Sequence, residues 1–232
     1  MHIKNAVVLV TGANRGLGRA FVNAILEAGA AKVYAAARDP STITLQGVMP
    51  IQLDITSETS IAAAAAQCAD VTVLINNAGI ALGRAFAEAG SAAAARAELE
   101  TNFFGPLNMS LAFAPILKAN GGGAIVNVLS VTSWLNFRSA ATYSASKSAA
   151  WSLTNGLRTE LKSQGTQVVG VHVGLMDTDM ARGFDVPKAD PLDVARQTLV
   201  AIAEGKDEVL ADDLSRQVKQ ALSAGAYLAQ VD

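Results

Sequence analysis

Short, mostly apolar runs alternate along the chain with longer stretches in which apolar residues return every three or four positions. Val7-Val8-Leu9-Val10, Val71 to Ile75, Ala124 to Leu129 and Gln167 to Val173 are runs of the first kind. Such runs fit strands covered on both faces, as in a parallel sheet. Lys32 to Ala37, Ile51 to Asp54 and Glu208 to Leu210 add three more strands. Between them, Ala20, Phe21, Ala24, Ile25 and Ala28 recur at helical spacing until Gly29. Ser57 caps an alanine-rich helix running to about Gln67, and a helix carrying Tyr143 continues through Leu153, Leu157 and Leu161. Pro191 to Ala203 reads as helix behind an Asp190 cap, and Asp212 onward as a terminal helix. Leu99 to Lys118 is helical but holds Pro106 and Pro115, which predicts a kink or interruption. Ala85 to Glu100 reads as helix or surface segment, and Gly174 to Pro187 as an irregular loop. Strand and helix alternate with no linker, so residues 1–232 are expected to form one α/β domain. Its sheet is doubly wound and parallel, of about seven strands, with helices on both faces.

Composition narrows the partners. The 232 residues are 51% hydrophobic with a formal net charge of −2, which gives no electrostatic reason to expect nucleic acid or an anionic membrane. Cys68 is the sole cysteine, and the two histidines, His2 and His172, are far apart in sequence. That leaves no metal-ligand cluster and no Ser-His-Asp order, so no metal is expected. His172 lies in an apolar strand, where a hydrogen-bonded structural histidine is expected. No apolar run reaches the length of a membrane span, and a soluble cytoplasmic protein is expected.

Chemistry gathers at the ends of the predicted strands. The first runs into Thr11-Gly12-Ala13-Asn14-Arg15-Gly16-Leu17-Gly18 and then into a helix. Glycines there let backbone approach a pyrophosphate, and the helix amino end offers free N–H groups and a positive dipole. The second strand ends in Arg38-Asp39, at the corner that reads an adenosine ribose. Arg38, with Arg15 as a second cation, favours a 2′-phosphate and hence NADP(H). The alternative is a solvated Arg38 and Asp39 holding the free ribose of NAD(H). Asp54-Ile55 and Asn76-Asn77-Ala78-Gly79 follow the third and fourth strands. Tyr143 and Lys147, four residues apart, rise from one helix face. A full charge pair at about 6 Å and an effective dielectric near 20 is worth roughly 3 kcal/mol, enough to lower a phenol by about two pKa units. Tyr143 is therefore expected to be depressed toward neutrality.

Taken together, Thr11-Gly12-x-x-x-Gly16-x-Gly18, Asp54, Asn76-Asn77-Ala78-Gly79, Asn102, Ser130 and Tyr143-x-x-x-Lys147 resemble the short-chain dehydrogenase/reductase family over about residues 5 to 215. The resemblance implies a Rossmann-type fold with Tyr143 as proton donor and acceptor. It implies Ser130 as hydrogen-bond donor to the substrate oxygen, and Lys147 as partner of the nicotinamide ribose and of the tyrosinate. Asn102 is implied to hold a water through which Lys147 exchanges protons. Cofactor contacts are implied for Gly12, Asn14, Arg15, Gly16, Leu17, Gly18, Arg38, Asp54, Ile55, Asn77, Ala78, Gly79, Tyr143, Lys147, Gly174 and Met176. Thr178 is placed against the nicotinamide carboxamide. Val173-Gly174 replaces the family's usual Pro-Gly, which is expected to loosen the following loop. Leu129 replaces a small polar residue and is expected only to pack.

Trp134, Phe137, Met180 and Phe184 fall in segments expected to border an apolar substrate pocket, with packing anchors as the alternative. The expected activity is an NADPH-dependent carbonyl reductase or alcohol dehydrogenase acting on an apolar ketone, aldehyde or secondary alcohol. The alternative is a non-catalytic NADP(H)-binding redox sensor; an epimerase or dehydratase is disfavoured because no separate substrate domain is present. A homodimer or homotetramer is implied by resemblance.

Overall fold

The computed structural model describes residues 1–228. Seven parallel strands form one sheet in the order β3-β2-β1-β4-β5-β6-β7. They are β1 (Val7–Thr11), β2 (Lys32–Ala37), β3 (Met49–Gln52), β4 (Val73–Asn76), β5 (Gly123–Val128), β6 (Thr166–His172) and β7 (Glu208–Leu210). The helices are α1 (Gly16–Glu27), α2 (Glu58–Gln67), α3 (Ser91–Leu99), α4 (Gly105–Ala119), α5 (Ala141–Glu160), α6 (Pro191–Ala203) and α7 (Asp213–Ala221). Strand order reverses between β1 and β4, so a crevice opens there at the carboxyl ends of the strands. This is a single-domain Rossmann α/β fold.

The period of two along each strand divides the core into two layers. Val8, Val10, Val73, Ile75 and Val126 point to one face, where they meet Phe21 and Ile25 of α1 and Val194 and Ile202 of α6. Leu9, Leu74, Ile125 and Val168 point to the other, against Ile61, Met109, Phe113, Leu117 and Leu157. Covering on both faces is why these strands are mostly apolar.

The third strand ends at Gln52, two residues before the expected Asp54, because the Asp54 N–H turns to Ser60 Oγ at 3.0 Å. Of the segment 85–100, only 91–99 is α-helix. The expected interruption lies at 100–104, a π turn in which the Gly105 N–H reaches back five residues to the Glu100 carbonyl. Pro106, which has no N–H, follows directly in the first turn of α4. Gly105 packs closely on Ile55, whose Cδ1 would lie 2.6 Å from a Cβ there and would have to move to admit one. The wide turn carries Asn102, 1% exposed, into the interior.

Candidate active site

The β1–α1 turn is held by one side chain. Thr11 Oγ1 accepts the N–H groups of Asn77 and Ala78 at 3.0 Å each and donates to the Ile75 carbonyl. Asn77 Nδ2 returns to the carbonyls of Thr11 and Gly12 at 2.8 and 3.2 Å. The glycine turn and the Asn-Asn-Ala-Gly turn are thus one unit. Gly12 and Gly16 have φ of +64° and +52°, conformations that favour glycine. Gly18 is required by space, because a Cβ there would lie 2.1 Å from the Gly12 carbonyl oxygen.

The α1 amino end fits a pyrophosphate. It has no acidic residue in its first turn and no side-chain cap, and the extended Arg15 precedes it. By contrast α2, α6 and α7 are capped by Ser57, Asp190 and Asp212. The open N–H groups and dipole of α1 are available to an anion.

At the ribose corner Arg38 and Arg15 are exposed, whereas the Asp39 carboxylate accepts the Ser41 N–H and Oγ–H at 3.0 and 2.7 Å. Asp39 thereby caps the turn Pro40–Thr42. Asn14 Nδ2 donates to Thr42 Oγ1 at 3.2 Å, bracing the same corner. The Asp54 carboxylate is held below the usual range by the Thr56 N–H and hydroxyl, then by the Arg38 charge, despite some burial. Leu17 and Ile55 have buried side chains in the core, and Ala78 packs against it.

Ser130 follows β5, and Tyr143 and Lys147 lie on α5. Lys147 Nζ donates to the Val128 carbonyl at 2.9 Å and sits 5.7 Å from the centre of the Tyr143 ring. A Cβ placed on Gly79 would be 3.8 Å from that same ammonium and 3.0 Å from Asn102 Oδ1. Asn102 Nδ2 donates to Ser146 Oγ at 2.9 Å. The structure therefore brings Ser130, Tyr143, Lys147 and Asn102 to the crevice mouth from three separate segments.

Electrostatically, one expectation is reversed. Burial raises the Tyr143 hydroxyl above its ordinary value, the Glu98 charge raises it further, and hydrogen bonding from Ser130 only partly offsets this. Burial also lowers Lys147 to about 8. The lysine stands 5.7 Å from the ring centre, but at the phenol the loss of water dominates.

Buried polar residues complete the frame. Asn76 donates to Asn127 at 2.9 Å, Asn127 to Thr154 at 3.0 Å and Thr154 to the Ala150 carbonyl at 2.7 Å, a buried polar chain linking β4, β5 and α5. His172, fully buried, donates from Nδ1 to the Ser130 carbonyl at 3.2 Å, and burial lowers it to about 3. Glu98, also fully buried, accepts the N–H groups of Leu82 and Gly83. Pairing of this kind depends on which strands are neighbours, and single-segment patterns do not carry that.

Among the anticipated pocket residues, Trp134 belongs elsewhere. It is 8% exposed, stacks on His172 with centroids 3.8 Å apart, and packs with Val131, Leu135 and Val218 under Lys219. Trp134 is a packing anchor, and Phe137 leans on the same cluster. Met180 and Phe184 are more than half exposed. Leu129, 2% exposed, packs as expected. The loop after β6 is pinned where loosening was expected. The Gly174 N–H donates to Asp212 Oδ2 at 2.6 Å, the Thr178 N–H to the Met176 carbonyl, and the Asp177 and Ala189 N–H groups cross-link its two arms. Thr178 Cγ2 lies 3.3 Å from the Cβ position of Gly16, beside the glycine turn. Among the described residues no group of three or more His, Cys, Asp or Glu could hold a metal ion, and no helix is long and apolar enough to cross a membrane.

A family model described as short chain dehydrogenase matches residues 6–187. The chain belongs to the short-chain dehydrogenase family. This short-chain dehydrogenase is 30% identical to a fission yeast (Schizosaccharomyces pombe) protein named NADP-dependent 3-hydroxy acid dehydrogenase, over 92% of the chain and 93% of that protein. A short chain dehydrogenase from Burkholderia cenocepacia, solved in complex with NADP, is 42% identical with a TM-score of 0.93, covering 97% and 95% of the two chains. A Burkholderia phymatum structure in complex with NAD superposes with a TM-score of 0.85 at 22% identity, covering 97% and 96%. That last likeness is one of fold. As a short-chain dehydrogenase the protein is an oxidoreductase acting between CH–OH and C=O groups.

Proposed function

We propose that this short-chain dehydrogenase is an NADPH-dependent carbonyl reductase, and in reverse an alcohol dehydrogenase, for an apolar ketone, aldehyde or secondary alcohol. The observation that carries the reading is the meeting of Ser130, Tyr143 and Lys147, with the Lys147 ammonium beside Gly79 at the mouth of the β1/β4 crevice. A bound NADPH supplies the hydride. Tyr143 gives its proton to the substrate oxygen as charge develops there, and Ser130 donates a hydrogen bond to the same oxygen. Because burial favours the phenol over the phenolate, the free enzyme holds the proton that reduction needs. Lys147 keeps its ammonium near the phenol ring from its anchor on the Val128 carbonyl, binds the nicotinamide ribose and favours the tyrosinate left after proton transfer. Asn102 holds the water through which Lys147 recovers a proton.

The glycine turn and the open α1 end would cradle the pyrophosphate, and Arg15 and Arg38 the 2′-phosphate. Spending the Asp39 carboxylate on Ser41 supports NADP(H) over NAD(H). The same reading assigns backbone contacts to Leu17, Ile55, Ala78, Gly174 and Met176, the carboxamide to Thr178, and the outer substrate wall to Met180 and Phe184. The exposed Phe104 and Leu111 support a homodimer or homotetramer that buries the α4 face, with the cytoplasm as its compartment. The test is NADPH consumption against apolar ketones, aldehydes and 3-oxo acids, the last because of the yeast relative's name. Turnover is expected with apolar carbonyls; tight NADPH binding without turnover on any of them overturns the reading in favour of a redox sensor.

A further inference from the structure

Glu98 is a carboxylate that sequence gave no reason to notice. It is completely buried, both of its hydrogen bonds fall on one oxygen, and among the described residues Oε2 has no partner. An acidic residue is rarely buried unless it is paired, and an unsatisfied buried oxygen is costly. Its two donors are the N–H groups of Leu82 and Gly83, at 2.8 and 3.0 Å. Both belong to a five-residue strap, 80–84, that leaves the Asn-Asn-Ala-Gly turn and runs toward the start of α5.

Every peg of that strap is a residue of the catalytic neighbourhood. Asn102 takes the Ile80 N–H on Oδ1 and donates from Nδ2 to the Ile80 carbonyl, both at 2.9 Å. Thr142, fully buried and adjacent to Tyr143, accepts the Arg84 N–H on Oγ1 and donates its own N–H to the Arg84 carbonyl, both at 3.1 Å. Gly83, at φ +55°, passes so near α5 that a Cβ would stand 3.2 Å from the Ser139 carbonyl oxygen. Glu98 supplies the middle peg, between Asn102 and Thr142.

We infer that Glu98 is a positioning residue of the active site: its buried carboxylate clamps the 80–84 strap against the α5 start, and its charge acts on Tyr143 across that strap. That charge opposes formation of the tyrosinate and holds the proton on the phenol. The other groups around the phenol are Ser130 after β5, whose hydrogen bond favours the tyrosinate, and Lys147 on α5, 5.7 Å from the ring centre. His172 on β6 stands behind Ser130 and is kept neutral by burial. On the strap and α3, Arg84, Arg96 and Glu100 are exposed, and Arg84 turns to Glu88. Glu98 is thus the buried charge that opposes Lys147. The consequence for proton transfer rests on the reductase reading; the clamp does not.

Glu98→Gln and Glu98→Ala separate the two roles. Glutamine keeps an oxygen for both N–H groups and removes the charge. Two measurements on the full chain read them out: amide hydrogen exchange at Leu82 and Gly83, and tyrosinate ultraviolet absorbance against pH with NADP⁺ bound, after subtracting the Tyr143→Phe chain. Alanine is expected to speed exchange at those two amides by about tenfold or more, as for loss of a charged acceptor, with glutamine restoring most of the protection. Glutamine is expected to move the Tyr143 titration down by about one pH unit, the order expected of removing one buried charge at an effective dielectric near 20. Removing a negative charge lowers the cost of the phenolate, so the shift must be downward. Unchanged amide exchange in the alanine chain overturns the clamp, and coincident titrations of the glutamine and parent chains overturn the electrostatic role. Failure of the parent chain to reduce any carbonyl refutes the reductase reading and leaves both readouts in force.

Discussion

Thr11→Val removes one oxygen and keeps the shape of the side chain. Thr11 is 1% exposed, so nothing else about the site need change. In the parent, Oγ1 accepts from the Asn77 and Ala78 N–H groups at 3.0 Å each and donates weakly to Ile75 at 3.3 Å. The Asn77 N–H has a second acceptor, the Ile75 carbonyl at 3.1 Å, and is only partly orphaned by the change. Among the described residues no second acceptor is found for the Ala78 N–H. One lost hydrogen bond costs about 0.5–1.5 kcal/mol and a stranded donor about 1–3 kcal/mol. Because residues 77 and 78 are partly accessible, water relieves some of this. The expected loss is therefore about 1–3 kcal/mol, or roughly 3–10 °C in Tm for a chain of this size. Urea unfolding of parent, Thr11→Val and Thr11→Ser measures it, with serine keeping most of the stability. A valine chain within about 0.5 kcal/mol of the parent, the range of an ordinary surface substitution, would refute the claim that this hydroxyl joins the two turns.

Gly18→Ala drives a Cβ to 2.1 Å from the Gly12 carbonyl oxygen and 2.6 Å from Asn77 Nδ2. It is expected to cost about 1–3 kcal/mol or more and to abolish NADPH binding by fluorescence, both together. His172 titrates near 3 folded and near its ordinary value unfolded. The unfolded chain binds the extra proton between those values, so stability falls as pH drops from about 6.5 toward 3, by up to about 1.4 kcal/mol per unit. His172→Asn, which keeps a donor for the Ser130 carbonyl, should flatten that slope in urea unfolding; equal slopes would contradict it. Arg38→Ala should weaken NADPH by about tenfold or more and NADH little in titration, the scale of one charge-assisted contact, and equal losses would remove Arg38 from phosphate recognition.

The strands and their order of appearance were legible because burial on both faces leaves a mostly apolar signature. The glycine turn was legible because its residues are contiguous, and Tyr143 and Lys147 because one helix carries both. What sequence could not carry is the field across segments. The depressed phenol was inferred from Lys147 alone, since burial of Tyr143 and the approach of Glu98 arise only when α3, the strap and α5 pack together. Trp134 looked like a pocket wall because it follows Ser130 closely. Its true partners, His172 on β6 and Lys219 on α7, are brought in by the fold. The strap itself has no periodicity, and its pegs lie 15 to 58 residues away in the chain.

Paired measurement of NADPH turnover and NADPH affinity in Tyr143→Phe tests the central claim most directly. With an apolar ketone that the parent reduces, the variant should lose at least about a hundredfold in kcat, the lower range for removing a proton-transfer group. Its Kd for NADPH should stay within a few fold of the parent. Retention of turnover by the phenylalanine chain would contradict the assignment of proton transfer to this hydroxyl.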